Sequence, residues 1–198
     1  MVEREIPDRE RLKLRVPGAL AALVVMGLVL VAYCRRDDMR DWMVDDTKFA
    51  REIRLAAKRY GLEPALVRAV VFQESRFDPF IRGGKGEVGL MQVLPEGAVA
   101  DWARNRRVKR PGASQLCDPV LNLEIGCWYL ARGMRRWSGY RAQTELALAQ
   151  YNAGESRADR WKPASPDGTV VDRIGIGSTR QYVTRIMKRY RKYRESMK

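Results

Sequence analysis

The chain has 198 residues, 45% of them hydrophobic, and a formal net charge of +14, which leaves room for one ordinary domain with a real core plus appendages. It contains no histidine, which excludes Ser-His-Asp and Cys-His nucleophile systems and any His-ligated zinc site. Its three cysteines, Cys34, Cys117 and Cys127, lack CxxC spacing and cannot build a four-thiolate site.

Residues 1–15 form a short charged tail. Val16 to Tyr33 is apolar throughout and uncharged, bounded by Arg15 on one side and by Arg35 and Arg36 on the other. About 18 residues is the lower end of what crosses a bilayer core as a helix. Tyr33, just ahead of Cys34, fits poorly with the small residues expected at a leader-peptide cut. A retained transmembrane anchor over residues 16–34 is therefore expected, although basic residues on both sides leave a mixed orientation signal. Residues 35–46 read as a charged linker and residues 47–198 as the folded domain.

Asp46 or Thr47 is placed to cap a first domain helix over Lys48 to Tyr60. Gly61 ends that helix and Pro64 opens the next, which is expected to run to Phe77. On it Val67, Val70 and Val71 lie seven, four and three residues before Glu74, so all four share one face. Burial on an apolar stripe raises a carboxyl pKa and suits it to general-acid work near neutral pH. A helix-end glutamate that swings into water is the alternative that position alone leaves open.

Arg82 to Met91 reads as a turn with short strands. Pro95 and Glu96 open a helix to about Ala103, and Asn105 to Gly112 is a basic loop. Asp118-Pro119 starts a further helix with Leu121, Ile125, Trp128 and Tyr129 on its apolar side. Thr144 to Tyr151 is helical and stops at Asn152-Ala153-Gly154. Ala164 to Gly177 is loop, and Thr179 to Tyr193 is a helix with Tyr182, Ile186, Tyr190 and Tyr193 on one stripe. The expected class is mainly α (α+β), with one small β-hairpin or sheet. Cys117 and Cys127 sit on one helix roughly 13–15 Å apart, too far for a disulfide, whose Cα atoms lie within about 7 Å.

Four motifs stand in order. Gln73-Glu74-Ser75-Arg76-Phe77-Asp78-Pro79 leads into the glycine-rich Gly83-Gly84-Lys85-Gly86, and Gly89-Leu90-Met91-Gln92 follows. Downstream come Ala149-Gln150-Tyr151-Asn152-Ala153-Gly154 and Ser178-Thr179-Arg180-Gln181-Tyr182-Val183. At this spacing the series resembles the catalytic domain of the soluble lytic transglycosylases, relatives of goose-type lysozyme that cut the glycan strands of bacterial peptidoglycan. The resemblance covers Thr47 to Tyr193.

It implies a lysozyme-like helical fold and assigns Glu74 as the catalytic acid. Ser75 would support the carboxyl by hydrogen bonding, and the Tyr151 hydroxyl would approach it. Met91 and Gln92 would line the glycan groove, Gln92 offering amide donors and an acceptor to the sugars. Asn152 and Tyr182 would be further groove residues; core packing is the competing reading for Tyr182 and Met91. Trp161 could stack on a sugar or anchor its loop. Pro119, Asn122, Gly126 and Tyr129-Leu130 also match the family, as packing positions rather than chemistry.

The implied reaction is non-hydrolytic cleavage between N-acetylmuramic acid and N-acetylglucosamine, leaving 1,6-anhydro ends, with no metal or organic cofactor. Peptidoglycan strands are the implied partner, at the outer face of the cytoplasmic membrane through the N-terminal anchor. A cationic domain suits an anionic wall. A basic module for nucleic acid or anionic lipid is the rival class, but no nucleic-acid signature supports it. A lysozyme-type hydrolase and a non-catalytic wall-binding relative are the nearer alternatives. Three departures bear on these: Gly83 replaces a serine of the family's glycine loop, Glu87 replaces an alanine, and Ser178 replaces a glutamate. Glu87 matters most, because most hydrolysing glycosidases use two carboxylates.

Overall fold

The computed structural model describes residues 22–27, 29, 41 and 43–196. The chain divides into two compact units, Met1–Met43 and Val44–Lys198. In the first, residues 22–27 and 29 are helical, with Leu23, Val24, Val25, Met26 and Val29 exposed. The remainder of the expected anchor over 16–34, and most of the linker, lies outside the described residues. No helix among the described residues is long and apolar enough to cross a membrane.

The second unit is built from helices: α1 (Ala50–Tyr60), α2 (Pro64–Ser75), α3 (Ala100–Arg106), α4 (Pro119–Arg136), α5 (Gln143–Ala153), α6 (Glu155–Trp161) and α7 (Gly177–Ser196). A π-helical turn at Pro95–Val99 leads into α3, and 3-10 turns occupy Gln115–Cys117 and Val171–Arg173. The centre is α2. Ala65, Leu66, Val67, Ala69, Val70, Val71 and Phe72 are all buried on it, the pattern of a helix apolar nearly all round. It packs against α7 and α1, while α4 packs against α1 and α5, and α5 against α6 and α7.

Helix ends differ from expectation for identifiable reasons. Neither Asp46 nor Thr47 caps α1, which follows Phe49, a residue in the left-handed region at φ 58°. Asp46 instead binds Arg68, which donates to its backbone carbonyl at 2.8 Å and to Oδ1 at 2.7 Å. α2 stops at Ser75, two residues before Phe77, because Arg76 and Phe77 both turn left-handed, at φ 48° and 63°. That reversal carries the Phe77 ring back edge-on to Phe72, with centroids 6.2 Å apart.

The expected sheet does not form among the described residues. Arg82 to Val93 makes only two isolated antiparallel bridges, Arg82 with Val88 and Val88 with Val93. Tight turns around the glycines consume the backbone that longer ladders would need. The buried side of α4 is also rotated from the expected stripe: Leu123, Ile125, Gly126, Cys127, Leu130 and Ala131 are inside, whereas Leu121, Trp128 and Tyr129 are only partly covered. α6 carried no sequence signal, being seven residues with four charged side chains. Cys117 closes a 3-10 turn rather than lying on α4, and both it and Cys127 are free thiols.

Candidate active site

Glu74 occupies the last turn of α2, where the left-handed Arg76 ends the helix and opens it toward the following loop. The residue as a whole is half-buried. The surroundings are nevertheless dry enough to push its pKa from 4.5 up to about 7. Burial is the main cause, a hydrogen bond from Tyr182 pulls the other way, and the negative charge of Glu87 adds to the rise. Near neutral pH this carboxyl therefore exists in both protonation states.

Tyr182, on the first turns of α7, donates its hydroxyl proton to Glu74 Oε1 at 2.6 Å. Its own ionisation is pushed well upward, chiefly by burial and then by Glu74 itself, so it remains a donor at all working pH values. Expectation had given the carboxyl contact to Tyr151. The Tyr151 hydroxyl instead donates to the backbone carbonyl of Met91 at 2.7 Å, although the ring lies near enough for Glu74 to raise its pKa. Tyr151 thus pins the loop at Met91, and Tyr182 holds the Glu74 carboxyl.

Ser75 also acts on backbone. Its hydroxyl is shared between the carbonyls of Val71 at 3.0 Å and Leu90 at 2.9 Å, rather than bonded to the Glu74 carboxyl as the resemblance implied. It ties the end of α2 to the loop that faces it. Met91 is fully buried, so its side chain is core and does not line a groove. It packs so tightly on α4 that a Cβ at Gly126 would lie 2.4 Å from its sulfur, which requires glycine there.

Asn122 is the residue that sequence reasoning undervalued. It is completely buried, accepts from the Met91 N–H at 2.8 Å, and donates to the carbonyls of Val88 and Leu116, both at 2.8 Å. One amide thereby supplies partners to three backbone groups of the site loop and its neighbour; the Val88 carbonyl also accepts from the Val93 N–H at 3.1 Å, whereas the Met91 N–H and the Leu116 carbonyl depend on Asn122. An asparagine on a predicted buried helix face was the available signal.

Gln92 is held in the left-handed region at φ 44°. Its amide nitrogen donates to the carbonyls of Ile81 at 3.2 Å and Gly89 at 3.1 Å, which leaves the side-chain oxygen as the group free for a ligand. Asn152 is exposed and accepts from the buried Thr179 at 2.8 Å, joining the end of α5 to the start of α7. Trp161 is buried and its carbonyl accepts from Arg173 at 3.2 Å, so it anchors its loop.

The departures at Gly83 and Glu87 are physically linked. A Cβ at Gly83 would lie 2.4 Å from Glu87 Oε2 and 2.9 Å from Gln92 Oε1. The same Glu87 oxygen accepts from the Lys85 N–H at 2.9 Å. The glutamate therefore folds back over its own loop into space that a side chain at position 83 would contest.

The transglycosylase SLT domain family model matches residues 51–169. The chain belongs to this family. Among curated relatives, a membrane-bound lytic murein transglycosylase C of Actinobacillus pleuropneumoniae is 28% identical over 161 residues, covering 71% of this chain and 44% of that protein. The chain thus spans less than half the length of that relative. Among solved structures, the lytic transglycosylase Slt of Pseudomonas aeruginosa, determined as an inactive glutamate-to-glutamine mutant, superposes with a TM-score of 0.67 at 28% identity. It covers 76% of this chain, which matches 24% of it. The 70 kDa soluble lytic transglycosylase of Escherichia coli gives 0.68 at 25% identity, with 76% and 25% covered. The helical unit therefore has the lysozyme-like SLT fold.

Proposed function

We propose that this protein is a peptidoglycan lytic transglycosylase that uses Glu74 first as acid and then as base. The observation that carries the reading is a single carboxyl at the end of a buried helix, raised to about 7 and oriented by the Tyr182 hydroxyl. A glycosidic oxygen leaves readily only if it is protonated as its bond breaks. Protonated Glu74 delivers that proton to the oxygen joining N-acetylmuramic acid to N-acetylglucosamine. The bond from the anomeric carbon to that oxygen breaks, and N-acetylglucosamine leaves with a new hydroxyl. The muramic acid's own C6 hydroxyl oxygen then bonds to the anomeric carbon and gives its proton to Glu74. The product carries a 1,6-anhydro ring, and the enzyme returns to its starting protonation state.

The family membership and the names of its relatives support this substrate class. The glutamate-to-glutamine change in the inactive Pseudomonas relative agrees with a carboxyl at the centre of the reaction. Ser75, Asn122 and Tyr151 act by fixing the loop opposite Glu74, while Gln92 Oε1, Asn152 and the Tyr182 edge are the polar groups offered to sugars. The relatives' membrane-bound names favour membrane association, and the apolar stretch over 16–34 is the segment proposed to supply it, with the catalytic unit on the outer side.

One observation favours a second reading. Glu87 lies near enough to raise Glu74, and a second carboxylate could activate water for hydrolysis. Mass spectrometry of digested peptidoglycan separates the two. Anhydro-muropeptides from the wild type, and none from Glu74→Gln, are the expected result. Reducing-end products would establish the lysozyme-type reading instead.

A further inference from the structure

The helical unit also carries an open cleft that does not include Glu74. It encloses about 600 Å³ between α3 and α4 and is lined by Asp101, Arg104, Asn105, Trp128, Arg132 and Arg135. We propose that this cleft binds the carboxylates of the stem peptide carried by the glycan strand lying at Glu74. The proposal rests on the transglycosylase reading above and adds a second contact with the same substrate.

Three guanidinium groups line the cleft, and two of them are already paired. Asp101 is shared, its Oδ1 paired with Arg104 and its Oδ2 with Arg132 at 2.9 Å. Arg132 also reaches Glu155 at 3.0 Å. Arg135 is exposed and has no ion-pair partner among the described residues. The cleft therefore retains uncompensated positive charge, in planar groups that suit bidentate capture of carboxylates. Trp128 is only half covered. Its face offers an apolar surface beside the cations, and the exposed Asn105 amide can meet peptide backbone. Uncharged sugar alone would make no use of the unpaired Arg135 guanidinium; an acidic peptide would.

Tyr129 stands between one wall of the cleft and the Tyr151 side of the Glu74 region. On one side its ring stands 5.5 Å from that of Tyr151, which holds the site loop. On the other, the Arg132 guanidinium lies 6.0 Å from the Tyr129 centroid. A stem peptide of four residues extends to about 13–14 Å, longer than the path from the Tyr151 ring past Tyr129 to the Arg132 guanidinium.

The test titrates the full-length protein in detergent with a sugar-free acidic stem tetrapeptide, read by calorimetry. The wild type should bind one peptide, more weakly as salt is raised. Arg135→Glu and Trp128→Ala should each weaken binding by about fivefold or more, the scale of losing one charge-assisted or aromatic contact. Arg191→Glu, an equal charge change on the exposed side of α7, should leave the affinity as it was. No binding to the wild type, equal weakening by Arg191→Glu, or inorganic phosphate competing as tightly as the peptide would each overturn the proposal. Glu74→Gln should bind the peptide like the wild type. A wild type that binds peptide but cuts no glycan would overturn the transglycosylase reading; one that cuts without binding peptide would overturn this one.

Discussion

Tyr182 stands 108 residues beyond Glu74 in the chain, yet its hydroxyl donates to the Glu74 carboxylate at 2.6 Å. The contact exists because α7 packs along α2 and delivers the first turns of one helix to the last turn of the other. Burial raises the carboxyl pKa and this hydrogen bond lowers it, so the value of about 7 is a balance between them.

Removing the hydroxyl tips that balance. Tyr182→Phe should move the alkaline limb of the rate profile upward from about 7, because the charged carboxylate loses its donor. The measurement is kcat/KM against pH. A limb that stays in place would mean that the hydrogen bond does not set the acid.

Glu74 itself opposes stability where it works. Its folded pKa of about 7 exceeds the ordinary 4.5, so the fold is favoured by the protonated form. That contribution is complete below the unfolded value and is lost as pH rises through the folded one. Glu74→Gln should therefore be more stable than the wild type above neutral pH, by on the order of 2–3 kcal/mol, and nearly equal to it in mild acid. Denaturant unfolding on both sides of the transition checks the sign.

Glu87 raises Glu74 through its charge. Glu87→Gln should shift the alkaline limb downward while the products remain anhydro sugars. A variant as inactive as Glu74→Gln would point to direct participation in hydrolysis.

Asn122 holds the site loop from beneath with three hydrogen bonds. Asn122→Ala leaves the Met91 N–H and the Leu116 carbonyl unpaired, and should cost about 2–4 kcal/mol of stability. Cleavage should fall as well, because the carbonyl that Tyr151 uses belongs to the same loop. Thermal unfolding and turnover, measured together, should show both losses.

The proposed anchor makes a separate claim. The dozen or so residues between it and the helical unit, fully extended, reach on the order of 45 Å, which keeps the unit close to the outer membrane face. Full-length protein should stay with membranes through high-salt washing, where charge-held protein would be released. Recovery of a soluble form beginning near Cys34 would show cleavage and end the tethering argument.

Local sequence determined much of this molecule. The apolar residues from Ala65 to Phe72, interrupted only by Arg68, specify a buried central helix, Gly61 and Pro64 punctuate it, and Asp118 caps α4 by accepting from the Leu121 N–H at 2.7 Å. These features depend on residues a few positions apart, so periodicity and capping chemistry reveal them. The placement of Glu74 on an apolar stripe was legible for the same reason.

What the tertiary structure alone decided is the division of labour around that carboxylate. Tyr151 and Tyr182 are both phenols from motifs on different helices, and nothing local says which reaches the acid and which reaches a carbonyl. The same holds for Met91, where a buried side chain and a groove-facing one share a turn, and for Asn122, whose partners lie up to 34 residues away. The direction of a side chain at a helix–helix contact is set by how the two helices rotate and slide as their ridges pack. That choice depends on the whole core at once, which no short window of sequence contains.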